Sequence, residues 1–366
     1  MPDMRFAPPN PLRIADRASG LNALSVRSYN ERLVLSLLLQ NQDISRMEIG
    51  ERTGLSAQAV SVIVRSLEQE GLVAKGEAQR GRVGPPTFPV SLNPGGAYAV
   101  GVSFGFRRTE VVLIDFVGRL RFQTVLASTL LDACDDGTAL LGAVTQAAAA
   151  LPPDLRGRIA GIGLAIPEGQ APADASTNGG TGLAELRRRI EQALGLPVFV
   201  QNDITAAAGA ESLFGVARSL NDYLFFYLGA RLHSRLILNH QIYHGNSGLS
   251  FEVGVLNLER ELARAGGPTD TLWERASDWP DLGSVFEAWR ESCTERLRQS
   301  IAALSQFVEV RTIVLSSFIP AAVCRLLCDD LKQALPDIEA LASSVGNRPK
   351  AVGAASLPFS SRFMVE

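Results

Sequence analysis

The segment that most restricts the fold lies near the amino terminus, at residues 44–73, and reads ISRMEIGERTGLSAQAVSVIVRSLEQEGLV. Ser45 with Glu48 three residues later forms a capping box, which predicts that a short helix begins there. This helix is expected to end near Gly54, because glycine tolerates the positive φ of a tight turn. Ser56 is expected to cap a second helix. Its predicted buried stripe has the spacing i, i+3, i+4, i+7 and consists of Val60, Ile63, Val64 and Leu67.

A short helix, a glycine turn and a longer helix form the helix-turn-helix arrangement, whose second helix enters the major groove of DNA. Small polar residues at the start of that helix let its backbone approach the bases closely. The face opposite the stripe presents Gln58, Ser61, Val62 and Arg65. The candidate DNA-contacting residues of this motif are Ser45, Ser56, Gln58, Ala59, Ser61 and Arg65. The alternative is a helical hairpin that only packs on the next domain.

The flanking segments favour the DNA-binding interpretation. A helix is predicted over Tyr29–Gln40, ahead of the motif. Residues 72–94 indicate a hairpin wing and a linker, in which Lys75, Arg80 and Arg82 are candidates for contacts with phosphates or a minor groove. The proline-rich residues 1–25 predict a flexible arm, so the winged helix-turn-helix domain with its linker is expected to span residues 26–94.

The charge of the chain is uneven. Residues 1–94 hold eleven Lys or Arg and nine Asp or Glu, a net charge of +2, so the remainder carries −5 of the total of −3. This asymmetry is compatible with an amino terminus that faces nucleic acid. No apolar run approaches the roughly 18 residues of a membrane helix, and the start lacks a signal-peptide pattern. We therefore expect a cytoplasmic protein that does not contact a membrane.

The four cysteines are Cys134, Cys293, Cys324 and Cys328, and none of them forms a CxxC pair. We expect reduced thiols in a cytoplasmic protein. Cys324 and Cys328 are spaced i,i+4 on a predicted helix. This spacing is compatible with a metal pair, but it favours a packed apolar face.

From Tyr98 onward the pattern changes to strands that alternate with helices. A hairpin turn is predicted at Asp115–Gly118. A second succession of strands and helices begins near residue 222. Two α/β lobes with a cleft between them are the expected architecture. The first lobe is assigned to residues 95–202 and the second to 203–366, with a carboxy-terminal helix that can return to the first lobe.

A helix-turn-helix followed by this body resembles the ROK family of repressors, open reading frames and sugar kinases. The resemblance extends from about Tyr29 to the sequence VGAASLP at residues 352–358. It implies a two-lobed body with the actin-like ATPase fold of hexokinases and RNase H. It also implies a homo-oligomer, a dimer or a tetramer, and a single helix-turn-helix in each subunit independently favours at least a dimer.

The phosphate loops of the family's kinases are eroded in this chain. The first loop, Asp-x-Gly-Gly-Thr in the kinases, corresponds here to residues 103–107, Ser-Phe-Gly-Phe-Arg. The second corresponds to residues 228–235 and keeps one glycine, and the late Gly-Gly corresponds to Ser316-Ser317. Because small residues let backbone amides surround a phosphate, these changes argue against ATP binding. We therefore expect no enzymatic activity and no cofactor, with a sugar kinase as the alternative.

The zinc motif of the family is also missing. The position of its histidine is Val255, and residues 256–292 contain no cysteine. The chain has three histidines, His233, His240 and His244, which form no compensating cluster in the sequence. No metal site of the family kind is therefore expected.

The sugar site is partly retained. Asn202-Asp203 matches the family's Asn-Asp pair, whose side chains hold sugar hydroxyls and whose Asp is the base of the kinases. Glu252 matches a family glutamate, Glu274 is a less well-aligned counterpart of another, and Asn178 lies in a polar loop that could face the cleft. The alternative for Asp203 is a purely structural role as the cap of a helix that begins at Ile204.

These observations predict a sequence-specific regulator of transcription that binds double-stranded operator DNA as a homo-oligomer. The resemblance implies a repressor of genes for carbohydrate uptake or metabolism, with a sugar or sugar-like effector in the cleft between the lobes. Two alternatives remain: a ROK-type sugar kinase, and a regulator that is controlled by a protein partner without a small-molecule ligand.

Overall fold

The computed structural model describes residues 29–41, 43–77, 88–168, 181–243, 250–274 and 278–365. The predicted arm at residues 1–25 lies outside these ranges, as do the candidate residues Arg80, Arg82 and Asn178. The chain divides into two compact units. The first extends to Ala206 and resumes at Ala351, and the second comprises residues 207–350.

The amino-terminal part of the first unit is a winged helix-turn-helix. Backbone hydrogen bonds between Ile44 and Val90 tie the segment before the second helix to the wing. The order of elements confirms the predicted motif, and the first helix has the predicted limits. The elements are α1 Tyr29–Gln40, α2 Arg46–Thr53, α3 Ala57–Gln69 and the antiparallel wing strands β1 Val73–Lys75 and β2 Val90–Leu92.

Local signals set the helix boundaries as predicted. Ser45 and Glu48 form the capping box of α2, and Gly54 ends this helix with a φ of 72°, which glycine adopts at little cost. The Oγ of Ser56 accepts a hydrogen bond from the backbone N–H of Ala59 at 3.2 Å and caps α3. The predicted stripe is buried at all four positions, Val60, Ile63, Val64 and Leu67.

The body of the first unit contains a five-stranded sheet in the order β5-β4-β3-β6-β7. Strands β3, β4 and β5 form an antiparallel meander, whereas β6 and β7 run parallel to β3. The predicted turn is present: Gly118 has a φ of 82°, and Asp115 Oδ1 accepts hydrogen bonds from the N–H groups of Val117 and Arg119. The strands are β3 Tyr98–Phe104, β4 Thr109–Asp115, β5 Leu120–Leu126, β6 Ile159–Ile166 and β7 Val198–Asn202.

Helices cover both faces of this sheet. On one face, Val100, Val102 and Leu164 form an apolar core with the helices that follow the meander. On the other face, Gly101 and Gly163 lie so close to the backbone of the last helix that a Cβ atom at either position would overlap it. The helices are α4 Leu130–Asp135, α5 Thr138–Ala149, α6 Thr181–Leu194 and, at the end of the chain, α11 Pro349–Phe363. Helix α7, Asp203–Phe214, begins in the first unit, and its residues from Ala207 onward belong to the second.

The carboxy-terminal end of the chain packs on the helix-turn-helix. The guanidinium of Arg32 in α1 donates hydrogen bonds to the carbonyl oxygens of Ser361, at 3.2 Å, and of Met364. The N–H of Val365 donates to Ser36 Oγ in α1 at 3.1 Å. These bonds explain why the last residues of the chain belong to the same unit as the first helix.

The second unit is built around a six-stranded sheet in the order β10-β9-β8-β12-β13, with β11 paired to β9. Strand β8 is antiparallel to β9 and parallel to β12. The strands are β8 Tyr223–Leu228, β9 Leu232–Leu238, β10 Gln241–Tyr243, β11 Ser250–Phe251, β12 Thr312–Ser317 and β13 Glu339–Ala342. The helices are α8 Val255–Arg264, α9 Gly283–Leu304 and α10 Ala321–Ala334. This succession confirms the predicted second α/β body.

Cys293, Cys324 and Cys328 lie in the apolar core of the second unit. Burial raises the pKa of each of these thiols to about 12. Cys324 and Cys328 therefore belong to the packed face of α10, as the apolar interpretation of their spacing predicts. Within the described ranges, no group of three or more His, Cys, Asp or Glu is placed to hold a metal ion. None of the described helices is both long and apolar enough to cross a membrane.

Candidate nucleic-acid interface and ligand-binding residues

Helix α3 offers an exposed face opposite its buried stripe. Gln58 and Arg65 are exposed and Ser61 is half-buried, in line with their predicted position on this face. Ala59 is half-buried beside the cap made by Ser56. One residue of this face is missing from the predicted DNA contacts: Val62 exposes 64% of its surface. An apolar residue outside the buried stripe was the signal in the sequence that could have identified it.

The other described candidates in this domain have structural partners. The Oγ of Ser45 accepts a hydrogen bond from the N–H of Glu48, and the Glu48 carboxylate accepts one from the N–H of Ser45. The bond from the Ser45 backbone contributes most to lowering the pKa of the Glu48 carboxyl. Lys75 in the wing is exposed and lies 3.4 Å from Glu68, which also pairs with Arg46 at 3.2 Å. Lys75 and Arg46 therefore share one carboxylate within the domain.

Asn202 and Asp203 lie where β7 ends and α7 begins. The Oδ1 of Asn202 accepts hydrogen bonds from the N–H groups of Ile204, at 2.9 Å, and Thr205, at 3.1 Å. Asn202 is therefore the cap of α7, and the prediction that Asp203 caps a helix starting at Ile204 is wrong. The physical reason is that Asp203 is already helical, and a cap must precede the first helical residue.

Asp203 is buried in the first turn of α7, where it exposes 3% of its surface. The partial positive charge of a helix amino terminus favours a carboxylate at this position. The two side chains therefore have different surroundings: the amide of Asn202 caps the helix, and the side chain of Asp203 is buried in its first turn.

Glu252 and Glu274 both belong to the second unit, and both are exposed. Glu252 follows β11, two residues before Gly254, and Glu274 follows a short 3₁₀ helix that ends at Trp273. The side-chain contacts predicted for them with a ligand stay a prediction. Asn178 lies outside the described residues.

Three serines at positions that correspond to nucleotide loops are buried. The Oγ of Ser317 donates a hydrogen bond to the carbonyl oxygen of Leu228 and accepts one from the N–H of Ile319. Ser316 is fully buried next to it. Ser103, at the position of the kinase aspartate, is buried in β3. A serine side chain that bridges two strand ends, as Ser317 does, leaves less exposed backbone than a glycine for contact with a nucleotide.

Aromatic packing organises the segment that corresponds to the zinc motif. The ring of Trp289 lies 5.9 Å from that of Trp279, and its Nε1 donates a hydrogen bond to the carbonyl oxygen of Gly254 at 2.9 Å. Val255, at the position of the family's histidine, is fully buried at the start of α8. An apolar core therefore holds this segment, and Val255 has no side-chain donor atom for a metal ion.

Two family models match the chain. The model of the MarR family matches residues 27–82, which contain the helix-turn-helix. The model of the ROK family matches residues 139–296, which contain parts of both units.

Curated relatives and a solved structure are similar to this chain over much of its length. The uncharacterized protein y4fQ of Sinorhizobium fredii is 25% identical over 91% of each chain. The xylose repressor of Bacillus subtilis is 28% identical over 68% of this chain, and the match covers 65% of the repressor. The crystal structure of a ROK family transcriptional regulator, a homologue of the Escherichia coli MLC protein, has 18% identity and a TM-score of 0.59. It covers 91% of this chain and 96% of that regulator. The chain thus joins a helix-turn-helix that matches the MarR family model to a body that contains a match to the ROK family model.

Proposed function

We propose that this protein represses genes of carbohydrate uptake or metabolism by binding operator DNA, and that a sugar or sugar-like effector releases it. The exposed face of α3 is the main support for the DNA-binding part of this proposal. It combines a side-chain cap, exposed Gln58 and Arg65, and a fully apolar opposite side that packs the domain. Such a helix can place its exposed face in the major groove while its apolar face stays packed in the core of the domain.

The effector half of the proposal is supported by the Asn202-Asp203 corner. A buried carboxylate next to a strand end is suited to accept hydrogen bonds from sugar hydroxyls. Glu252, Glu274 and Asn178 are further candidate contacts. The name of the Bacillus subtilis relative, a xylose repressor, favours a carbohydrate as the effector.

Release requires that the effector prefer one conformer. A homo-dimer or tetramer places two helix-turn-helix motifs on half-sites that are about 34 Å apart or a multiple of this distance. An effector that binds better to a conformer with a different spacing weakens operator binding, and DNA weakens effector binding by the same factor.

The DNA-binding claim can be tested with the full chain. We would map the genomic sites that it occupies and then measure its affinity for the recovered fragments by fluorescence anisotropy. Arg65→Ala is expected to reduce the affinity about tenfold, because it removes a contact to a base or phosphate. The matched control is Arg188→Ala, since Arg188 is an exposed arginine on α6 that pairs with Glu185 at 2.6 Å. Equal losses in both variants, or binding without sequence preference, would refute the claim.

The effector claim needs a separate measurement. Wild-type protein is expected to gain thermal stability with one class among pentoses, hexoses and N-acetylated amino sugars, and the same sugar should release the operator. Asp203→Asn should abolish both responses.

Two other results would support the alternatives. Transfer of phosphate from ATP to a sugar, lost in Asp203→Asn, would establish the kinase alternative. Operator release by a protein partner, with no response to any sugar, would establish the partner-controlled regulator.

A further inference from the structure

Val62 is the apolar residue at the centre of the proposed DNA-reading face. Its position relative to Gln58 is i+4, and Arg65 follows at i+3, so these three side chains lie along one face of α3. Val62 exposes 64% of its surface, whereas Ile63 and Val64 next to it are buried. An exposed valine between polar residues therefore contributes nothing to the core of this domain.

The chemistry of the major groove gives this side chain a specific use. Valine has no hydrogen-bond donor or acceptor, so it cannot read the polar edges of the bases. The apolar group that the base edges present in the major groove is the C5-methyl group of thymine. Gln58, one helical turn earlier, carries the amide that pairs with N6 and N7 of adenine.

We infer that Val62 is a specificity-determining residue that reads the C5-methyl group of a thymine, beside the base that Gln58 contacts. The inference rests on the proposed DNA-binding function and makes it more specific. Each operator half-site then contains an A·T pair under the centre of α3. A methyl group that is removed from water by the Val62 side chain should change the affinity about fourfold.

Uracil substitution provides the test, because uracil pairs like thymine but lacks the C5-methyl group. In an operator fragment recovered with the full chain, each thymine is replaced by uracil, one at a time in both half-sites. Wild-type protein should lose about fourfold in affinity at one symmetry-related pair of positions. Val62→Ala, which removes both γ-methyl groups and leaves a shorter side chain, should lose most of this discrimination at those positions.

Two control variants separate this effect from a general loss of binding. Arg65→Ala should bind all fragments more weakly and still distinguish thymine from uracil at the same positions. Val62→Thr retains one methyl group in a side chain of similar shape, so it should keep part of the discrimination. Because Val62 is exposed, thermal unfolding of Val62→Ala should match that of the wild type.

The possible failures can be told apart. If wild-type protein binds its operator but Val62→Ala retains the full response to uracil, the inference is overturned and the DNA-binding function stands. The same holds if Val62→Ala leaves the affinity for DNA unchanged and instead abolishes binding to a protein. If the wild type binds no operator, both the inference and the proposed function fail.

Discussion

Helices α3 and α7 begin in the same way and serve opposite purposes. Each starts at a polar side chain that accepts hydrogen bonds from first-turn N–H groups, Ser56 in α3 and Asn202 in α7. Helix α3 buries one stripe and exposes the other face, whereas α7 is buried at every residue from Asp203 to Glu211. Substitutions on the exposed face of α3 should therefore change recognition, and substitutions in α7 should first change stability.

The close packing of α7 explains its small residues. The sequence after Asp203 is rich in alanine, and α11 approaches α7 at Gly353. A Cβ atom at Gly353 would overlap the backbone carbonyl of Ala206. Two helices can approach at this distance only when a glycine lies at the contact. A substitution at Gly353 therefore tests whether α7 is closely packed.

Gly353→Ala should have the largest effect. The added methyl group meets backbone and not a flexible side chain, so one of the two helices must shift. Overpacking of this kind is expected to cost about 3 kcal/mol, measured as the free energy of unfolding in a urea titration.

Gly142→Ala is the matched control, because nothing lies within 4 Å of a Cβ atom built at Gly142 in α5. Alanine favours helix more than glycine does, so this variant should be more stable than wild type by about 0.8 kcal/mol. A smaller loss for Gly353→Ala than about 1 kcal/mol would mean that the two helices are not rigidly packed.

A buried carboxylate near the end of α7 gives the next largest effect. Glu211 accepts hydrogen bonds from the Oγ of Ser343 and the N–H of Val216, and further ones from the backbone of Ser344 and Val345. Burial, the dominant influence, raises the pKa of Glu211 in spite of these bonds. Glu211→Gln places an NH2 group among donors, so we expect it to lose about 2 kcal/mol.

The same residue gives a pH prediction. A carboxyl group whose pKa is raised in the folded state stabilises the protein below its unfolded pKa, and this contribution is lost as the pH rises through the folded value. The contribution of Glu211 to stability should therefore fall as the pH rises above the ordinary glutamate pKa of 4.5, and Glu211→Gln should lack this part of the slope. Urea titrations of both proteins between about pH 5 and 8 measure it, and parallel curves would contradict the prediction.

The contrast between the two helices also shows what a sequence can predict. The limits of α2 and α3 depend on Ser45, Gly54 and Ser56, which act within one turn of the chain, so local patterns were sufficient. The start of α7 depends on the pairing of Asn202 with Ile166 in the next strand, which extends β7 and makes Asn202 the cap. A local pattern does not contain that pairing and therefore predicts the start of α7 one residue too late, at Ile204.

The candidate DNA-binding and ligand-binding residues also differ in how far the sequence can predict their surroundings. The exposed face of α3 could be predicted because the buried stripe defines it. The burial of Asp203 and the partners of Glu211 depend on residues that are distant in the sequence, such as Ser343. The sequence indicates that Asn202 and Asp203 are a polar pair. The structure shows that Asn202 caps α7 and that Asp203 is buried in its first turn.

Removal of the two caps compares the helices directly. Asn202→Ala and Ser56→Ala each remove a side-chain acceptor and should each cost about 1 kcal/mol in a urea titration. Asn202→Asp keeps an acceptor at the same position and should recover most of the loss. If Asn202→Ala were as stable as the wild type, another group would have to satisfy the N–H groups of Ile204 and Thr205.

Gln58→Ala should have the smallest effect on stability and completes the comparison. Gln58 is an exposed residue of α3, so its truncation is expected to change the free energy of unfolding by less than about 0.5 kcal/mol. Operator affinity should nevertheless fall about tenfold, because the proposed contact of the Gln58 amide with an adenine edge is lost. Asn202→Ala should show the reverse, with a loss of stability and unchanged operator affinity in the absence of effector. If both variants changed stability and DNA affinity to the same extent, the division between a recognition helix and a packing helix would not hold.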